Sequence, residues 1–236
     1  MSYHSVIMPY EDYKNACDAI RTKTGSNDLV KSGDLASKIQ GISGGIILEN
    51  IPTGYTKCDY IKFNKAQTVD TGIICNQNTK IKIIYTREDS SAMYLYGVAS
   101  TNNVASVTAY LSSGGSWRFG AKSASFTIST SADIIHTAIV SKAGYTMDSG
   151  NSSLSSVADF ETVGTLVIGA VRNASGTLGN SQFVGKILSF EMWSGTTQTL
   201  KLIPVTDGNG SYRFWDIIGE KFHDSITTTP LSGGIL

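Results

Sequence analysis

The sequence of 236 residues carries 19 Lys and Arg residues against 19 Asp and Glu residues, so its formal net charge at pH 7 is zero. A chain without a basic field has little attraction for nucleic acid or anionic lipid, and we expect neither nucleic acid nor a membrane as a partner. Only 16% of the residues are charged and 24 are Gly, which is typical of proteins rich in sheets and loops.

Residues 1–45 predict a small helical module that ends in a glycine linker. Pro9 suits the first turn of a helix over residues 9–23, and a second helix is predicted from Asp34 to Gln40. Ser43-Gly44-Gly45 then breaks the helical pattern. About 40 residues rarely hold a core alone, so we expect the apolar stripes to dock on a partner surface or on copies of the same module. These stripes consist of Tyr13, Cys17 and Ile20 in the first helix and of Leu35, Ile39 and Ile42 in the second.

Residues 46–236 predict a β-sandwich. Extended runs follow one another, separated by Gly, Asn and Ser turns, without intervening helical patterns. The amino terminus lacks the basic and apolar regions of a secretory signal, which favours synthesis in the cytoplasm. The predicted strands cover residues 46–48, 60–63, 80–86, 92–98, 105–111, 117–121, 125–128, 134–142, 166–171, 182–193, 200–205 and 211–215.

The strands nearest the carboxyl terminus have the clearest pattern. Leu188, Phe190 and Met192 alternate with the polar Ser189 and Glu191, which predicts one buried face and one wet face. The dipeptides Asp207-Gly208 and Asn209-Gly210 predict a hairpin, because Gly accepts the positive φ of tight turns. The Ser-rich segment 148–156 predicts a surface loop. The predicted core residues are Ile83, Ile139, Ile168, Phe190 and Met192.

Catalytic and metal-binding patterns fail on context. Gly41-Ile42-Ser43-Gly44-Gly45 matches the nucleophile-elbow spacing, but a helical pattern precedes the Ser and a linker follows it. No strand offers the alternating carboxylate pair that glycoside hydrolysis requires. The three cysteines lack CxxC spacing, and the three histidines are scattered. We therefore expect no enzyme, no cofactor and no metal site.

Aromatic rings beside Gly- and Ser-rich segments are the remaining candidates for ligand contact. A flat exposed ring can stack on the apolar face of a sugar, whereas most aromatic rings in a sandwich simply fill the core. The rings in this position are Tyr94, Tyr96, Tyr110, Trp117 and Tyr145. From their chemistry and an expected position at loop edges, the predicted ligand-binding residues are Trp117, Arg118, Tyr145, Arg172 and Asn173.

Several motifs occur in order over the segment 58–234. They are Asp59-Tyr60-Ile61, Val69-Asp70-Thr71-Gly72, Leu166-Val167-Ile168-Gly169-Ala170, Arg172-Asn173, Gly185-Lys186-Ile187, Phe190, Ile203-Pro204, Phe214-Trp215-Asp216, Gly219, Lys221 and Phe222. On these residues the segment resembles the concanavalin-like (laminin-G-like) jelly-roll domains of bacteriophage virion proteins and gut-bacterial surface proteins. The resemblance implies a mainly β fold, a two-sheet antiparallel jelly-roll sandwich preceded here by a small helical hairpin.

The predicted helical hairpin from Tyr10 to Ile42 contains Asp18-Ala19-Ile20-Arg21, Lys23-Thr24-Gly25 and the segment from Leu35 to Ile42. On these residues it is similar to the short amino-terminal module of phage tail and other virion structural proteins. The resemblance implies a tail- or capsid-attached fibre or decoration that is located in the virion, docks on other virion structural proteins through its helices and forms a homotrimer. The displayed sandwich would then adhere to a host-surface glycan. The alternatives are a carbohydrate-binding module on a bacterial surface or secreted protein, and a hydrolase on a concanavalin-like scaffold, which the missing carboxylate pair disfavours.

Overall fold

In the computed structural model of this protein, short segments in which apolar and polar side chains alternate form the strands of the described residues. The structure describes residues 50–102, 104–112, 115–126, 134–148, 150–154 and 156–236. The 17 strands within these ranges are β1 (Thr56–Lys57), β2 (Tyr60–Asn64), β3 (Val69–Asn76), β4 (Thr79–Arg87), β5 (Met93–Val98), β6 (Ser106–Leu111), β7 (Gly115–Gly120), β8 (Lys122–Phe126), β9 (His136–Ser141), β10 (Gly144–Met147), β11 (Gly150–Ser153), β12 (Glu161–Ile168), β13 (Val184–Ser194), β14 (Thr197–Thr206), β15 (Tyr212–Asp216), β16 (Lys221–His223) and β17 (Ser232–Gly234).

Among the described residues, eleven strands form the larger of two antiparallel sheets. Its main path runs β11-β10-β9-β4-β13-β14-β15-β16. The long strand β13 pairs with β4 along one edge, while its other edge pairs first with β2 and then with β14. β1 adds to β14, and β17 adds to β2. β13 is therefore the central strand of this sheet.

The smaller sheet contains six described strands in the order β3-β12-β5-β6-β7-β8, all antiparallel. The two sheets pack face to face around one apolar core. Phe190 of β13 meets Tyr96 of β5 edge to face, with ring centroids 5.8 Å apart, and both side chains are buried. Fully burying an aromatic ring stabilises the fold by about 2–3 kcal/mol. The predicted mainly β, two-sheet antiparallel sandwich is confirmed, and the arrangement is consistent with a jelly roll.

Four of the five predicted core residues are fully buried: Ile83, Ile168, Phe190 and Met192. Ile139 is the exception, because β9 turns Ala138 and Val140 inward and leaves Ile139 half-buried. Two adjacent apolar residues fit either register, so the sequence pattern alone could not fix which one faces the core.

The predicted inward face of β13 is correct for Phe190 and Met192 but wrong for Leu188. Ile187 pairs with Tyr85 and Ser189 pairs with Ile84, so Leu188 is one extra residue on β13. Such a β-bulge shifts the alternation by one position. As a result Ile187 is buried and Leu188 is only half-buried.

The predicted hairpin between β14 and β15 is confirmed. Thr206 pairs with Tyr212 across a five-residue turn, in which Gly208 and Gly210 have φ of 76° and 94°. The segment 148–156 is not simply the predicted surface loop, because β11 lies within it and pairs with β10. β11 reads Gly-Asn-Ser-Ser and forms the end of the larger sheet, where only one edge needs a partner. It has no apolar alternation for this reason.

β2, near the beginning of the sandwich, and β17, the last described strand, are neighbours in the larger sheet. β17 pairs with β2 in antiparallel register, so Gly234 lies opposite Tyr60. The backbone N–H of Asp59 donates to the Gly234 carbonyl at 2.9 Å, and the N–H of Leu236 donates to the Asp59 carboxylate at 2.8 Å.

A buried arginine links the two sheets at one end of the sandwich. Arg87, at the end of β4, donates to the carbonyls of Asp89, Ser91 and Ser112 at 2.5, 2.9 and 2.6 Å. Asp89 and Ser91 lie just before β5, and Ser112 lies just after β6. Both of these strands belong to the smaller sheet. Burial lowers the pKa of Arg87, while Tyr85 and Asp89 oppose that effect. The guanidinium therefore satisfies backbone acceptors where the sheets meet.

The predicted helical module lies outside the described residues. This applies to the glycine linker, to the predicted strand 46–48 and to all six docking residues, Tyr13, Cys17, Ile20, Leu35, Ile39 and Ile42. Residues Ile51–Leu236 form one compact unit.

Candidate functional site

Trp117 and Tyr145 lie in the core, so their predicted position at exposed loop edges is wrong. Each side chain is only 2% exposed, and the two ring centroids are 6.4 Å apart. Trp117 also meets Tyr96 edge to face at 5.8 Å. In β7, Trp117 and Phe119 share the inward parity. A ring enclosed by other rings has no free face for a sugar.

Arg118 follows Trp117 in β7 and points the opposite way, onto the outer face of the smaller sheet. It is half-buried and pairs in register with Thr108 of β6. Tyr110, two residues further along β6, pairs with Ser116. Diagonal neighbours on one sheet face lie about 7–8 Å apart, within reach of long side chains. Arg118, Tyr110 and Ser116 therefore share one patch.

Tyr94 completes this patch as the in-register partner of Tyr110. The ring centroids are 4.8 Å apart with an interplanar angle of 53°, and both rings are half-buried. Burial raises the pKa of the Tyr94 hydroxyl, and Tyr110 adds to the rise while Arg118 opposes it. The hydroxyl is therefore neutral at physiological pH and able to donate a hydrogen bond. We call Tyr94, Tyr110, Ser116 and Arg118 the tyrosine face.

A β-bulge separates the half-buried Tyr94 from the buried Tyr96. Tyr94 pairs with Tyr110 while Tyr96 pairs with Ala109, so Leu95 is an extra residue in β5. In a regular strand, residues two apart lie on the same face. The bulge instead leaves Tyr94 on the outer face and places Tyr96 in the core.

Arg172 holds a loop in place at one border of the smaller sheet. Its Nη2 donates to Asp70 Oδ2 at 2.8 Å, and its Nη1 donates to the Thr165 hydroxyl. Its backbone N–H donates to the Gly97 carbonyl at 3.1 Å, and its carbonyl accepts from the N–H of Ala99 at 2.8 Å. Arg172 therefore positions the loop between β12 and β13, and both terminal nitrogens of its guanidinium already have partners.

Asn173 follows this clamp and is exposed. It lines a cavity of about 440 Å³ together with Tyr94, Ser100, Thr101 and Ser175. The cavity thus adjoins the tyrosine face. The loop approaches the sheet closely here, because a Cβ on Gly97 would lie 3.0 Å from a Val171 methyl group.

The chemistry of this region suits reversible binding of a polar ligand. It combines two flat rings, one guanidinium, hydroxyls and an amide, which can contact both the apolar and the polar surfaces of a ligand.

Among the residues that the structure describes, no group of three His, Cys, Asp or Glu side chains is placed to hold a metal ion. Burial raises the pKa of Cys58 to about 11 and that of Cys75 to about 12, so both thiols are protonated.

Of the five predicted ligand-binding residues, the structure brings Arg118 and Asn173 towards one region with Tyr94 and Tyr110. Arg172 supports that region from beneath the loop, whereas Trp117 and Tyr145 lie in the core. The sequence offers Tyr94 and Tyr110 as candidate rings but contains no local signal that favours them over the other aromatic residues. Their in-register pairing, which depends on the bulge, is the signal that selects them.

No protein-family model and no curated protein matches this chain. Solved structures similar to it include domains LG4-5 of the mouse laminin alpha1 chain, at 11% sequence identity and a TM-score of 0.41. The match covers 72% of this chain and 50% of the laminin chain, so this chain spans about half the length of that structure. Within the described ranges, no helix has both the length and the apolar composition that a bilayer crossing requires.

Proposed function

We propose that this protein is a bacteriophage virion structural protein, a tail- or capsid-attached fibre or decoration, whose sandwich binds host-surface glycans. The observation that carries the binding role is the half-buried Tyr94–Tyr110 pair on the outer face of the smaller sheet. Its rings are held by the pairing of β5 with β6, so little side-chain entropy is lost when a ligand settles on them.

The tyrosine face supplies both kinds of contact that a sugar needs. A pyranose ring has an apolar C–H face, which stacks on a tyrosine ring, and an edge of hydroxyl groups. The Arg118 guanidinium and the Ser116 hydroxyl can pair with those hydroxyls at one side. Asn173 and the hydroxyls of the adjoining cavity can do so at the other.

A shallow site of this kind binds weakly, on the order of millimolar per copy. Useful attachment then requires several copies held together, because a second binding event on the same particle is effectively intramolecular. A homotrimer displayed many times on a virion would meet this need. The support for virion attachment is the sequence resemblance of the amino-terminal module, through which the protein would dock on other virion structural proteins.

The binding role is tested by titrating the purified protein on an array of bacterial surface glycans and then repeating the measurement with Tyr110→Ala. We expect loss of binding by at least about fivefold, since a stacked ring contributes roughly 1–3 kcal/mol in the protein–nucleic acid cases where stacking has been measured. Tyr60→Ala is a matched control, because Tyr60 is a half-buried tyrosine of the larger sheet. Equal losses in both variants, or unchanged binding in Tyr110→Ala, would reject the tyrosine face.

The virion role is tested separately by mass spectrometry of particles purified through a density gradient. We expect the protein in the particle at a constant copy number relative to the major capsid protein. Its absence from particles, together with its presence on the surface of a bacterium, would instead identify a bacterial carbohydrate-binding module.

A further inference from the structure

A second pocket, of about 660 Å³, lies on the larger sheet between the β14–β15 turn and the segment that follows β16. Its walls include the rings of Tyr55 and Tyr212 and the polar side chains of Asn209, Arg213 and Asp224. This volume is within the range of about 300–1,000 Å³ that is typical of small-ligand sites. The pocket shares no residue with the tyrosine face or with the cavity beside it.

An ion pair in this pocket is fixed in orientation. Arg213 Nε donates to Asp224 Oδ1 at 2.6 Å, and Arg213 Nη2 donates to Asp224 Oδ2. The guanidinium also lies over the Phe222 ring, 4.1 Å from its centroid, and that ring packs against Tyr55 at 4.6 Å. The hydrogen bonds that Arg213 donates to the Asp224 carboxylate raise the pKa of Arg213. The pair therefore presents a donor and an acceptor side by side with no net charge.

One wall of the pocket is preformed by its own turn. The Asp207 carboxylate accepts from the backbone N–H groups of Asn209 and Ser211 at 2.8 and 3.1 Å. Gly208 and Gly210 supply the positive φ angles that the turn requires. Asn209 is thereby held at the mouth of the pocket, where it is exposed.

The opposite wall is tied to a distant part of the chain. Thr227 donates its hydroxyl to the Ala66 carbonyl at 2.5 Å, and Gln67 donates its amide to the Pro230 carbonyl at 3.2 Å. The backbone N–H of Ile226 donates to the Thr68 carbonyl at 2.8 Å. Both walls thus exist before any ligand arrives, which lowers the entropic cost of binding.

We propose that this pocket is a second saccharide site, specific for neutral sugars. A sugar hydroxyl both donates and accepts, so it matches a carboxylate next to a guanidinium. Because the pair carries no net charge, it gives neither an anionic nor a cationic ligand a net electrostatic attraction to offset the loss of that ligand's hydration. Tyr55 and Tyr212 line the pocket separately, Tyr212 packed against the main core and Tyr55 against the Trp215–Phe222 cluster, and either ring can contact the C–H face of a sugar. The site is argued from its own residues and does not require the tyrosine face to bind.

The test is an NMR titration of the ¹⁵N-labelled full chain with methyl hexopyranosides and methyl N-acetylhexosaminides. For at least one neutral glycoside we expect the amide signals of Gly208, Gly210, Ser211 and Thr228 to shift and to saturate on the order of millimolar. Methyl glucuronide should shift them at least tenfold more weakly. No shift with any neutral glycoside, or stronger binding of the glucuronide, would overturn the proposal.

Two variants separate this site from the tyrosine face. Asn209→Ala with Thr228→Ala removes two exposed polar groups at the pocket mouth and should raise the Kd there about tenfold, while leaving any shifts at Tyr94 and Tyr110 intact. Tyr110→Ala should weaken binding at the tyrosine face and leave the Kd of the pocket unchanged. Pocket shifts that survive the double variant unchanged would overturn the assignment, whichever result the tyrosine face gives.

The charge argument has its own variant, Asp224→Asn, which keeps the shape of the side chain and removes its charge. Arg213 would then be uncompensated, and we expect the pocket to bind methyl glucuronide at least as well as the neutral glycosides. Continued rejection of the glucuronide by this variant would contradict the role given to the ion pair.

Discussion

The two faces of the smaller sheet use similar residues for opposite purposes. On the inner face, Tyr96 and Trp117 are enclosed by the rings of the core. On the outer face, Tyr94 and Tyr110 form a pair that is half open to solvent. β5 contributes one ring to each set, and there Tyr94 and Tyr96 are separated by only two positions. Position in the strand, rather than residue type, decides whether a ring supports the fold or is available to a ligand.

Trp117→Ala should show the largest effect on the inner face. The ring is almost fully buried, so its loss leaves a cavity and should lower the free energy of unfolding by about 3–5 kcal/mol. Arg118→Ala, the next residue on the outer face, should change it by about 0.5 kcal/mol or less. Thermal and urea unfolding measure both values, and similar losses would mean that the two faces do not differ in this way.

Arg87 tests whether a polar side chain at an inward-facing strand position can stabilise the fold. Arg87→Met retains much of the volume but leaves three carbonyls without their donor, and we expect a loss of about 2–4 kcal/mol in urea unfolding. Arg87→Lys keeps the charge on a side chain with different geometry and should recover part of that loss. A fully stable Arg87→Met protein would show that water replaces the guanidinium at no cost.

The bulge in β13 provides a comparison within one strand of the larger sheet. Ile187→Ala should cost about 2–4 kcal/mol because Ile187 is fully buried, whereas Leu188→Ala should cost about 1 kcal/mol. Chemical denaturation of the two variants gives the difference directly. A larger loss of stability for Leu188→Ala than for Ile187→Ala would indicate that Leu188 faces the core. The strand would then alternate regularly, without the bulge.

Asp70→Asn should show the only marked pH dependence in this series, with an effect smaller than those of the substitutions at buried residues. Burial favours its neutral form, but hydrogen bonds from Gly72 N–H, Thr165 and Arg172 lower its pKa below 3.8. Its contribution is therefore complete above about pH 5 and is lost as the pH falls through the folded-state pKa. Asp70→Asn should cost about 1 kcal/mol at pH 7 and little at the lowest pH where the fold persists.

The measurement for Asp70 is urea unfolding of both proteins between pH 2 and pH 7. Trp117→Ala serves as the comparison, because the apolar inner face should give a loss that hardly depends on pH. A pH-independent gap for Asp70→Asn would show that the clamp on the loop is not electrostatic.

Much of the fold follows from local patterns in the sequence. The glycine-containing turn after β14 and the alternation at Phe190 and Met192 are local signals, and the structure follows them. The bulge at Leu188 is set by the pairing of β13 with β4, which a single strand does not encode. β11 has no apolar face to reveal it, since it needs only one neighbour at the end of the sheet.

The candidate site was predictable only in part, for the same reason. Arg118 and Asn173 could be chosen for their chemistry, and they do reach the outer region. Whether Tyr94 or Tyr96 is accessible depends on the bulge at Leu95, which is a property of the β5–β6 pair. The clamp of Arg172 on Asp70 joins residues 102 positions apart, so no local pattern could indicate that Arg172 supports the loop.

The pairing of β17 with β2 determines how the sandwich would respond to mechanical load. Asp59 and Leu236 are in contact, and the two strands run antiparallel away from that point. A pulling force between these two residues would act across the strands and not along them. The backbone hydrogen bonds between β2 and β17 would then break one after another and not all at the same time. Tension applied there would peel β17 from the sheet before it reached β13 and the central core.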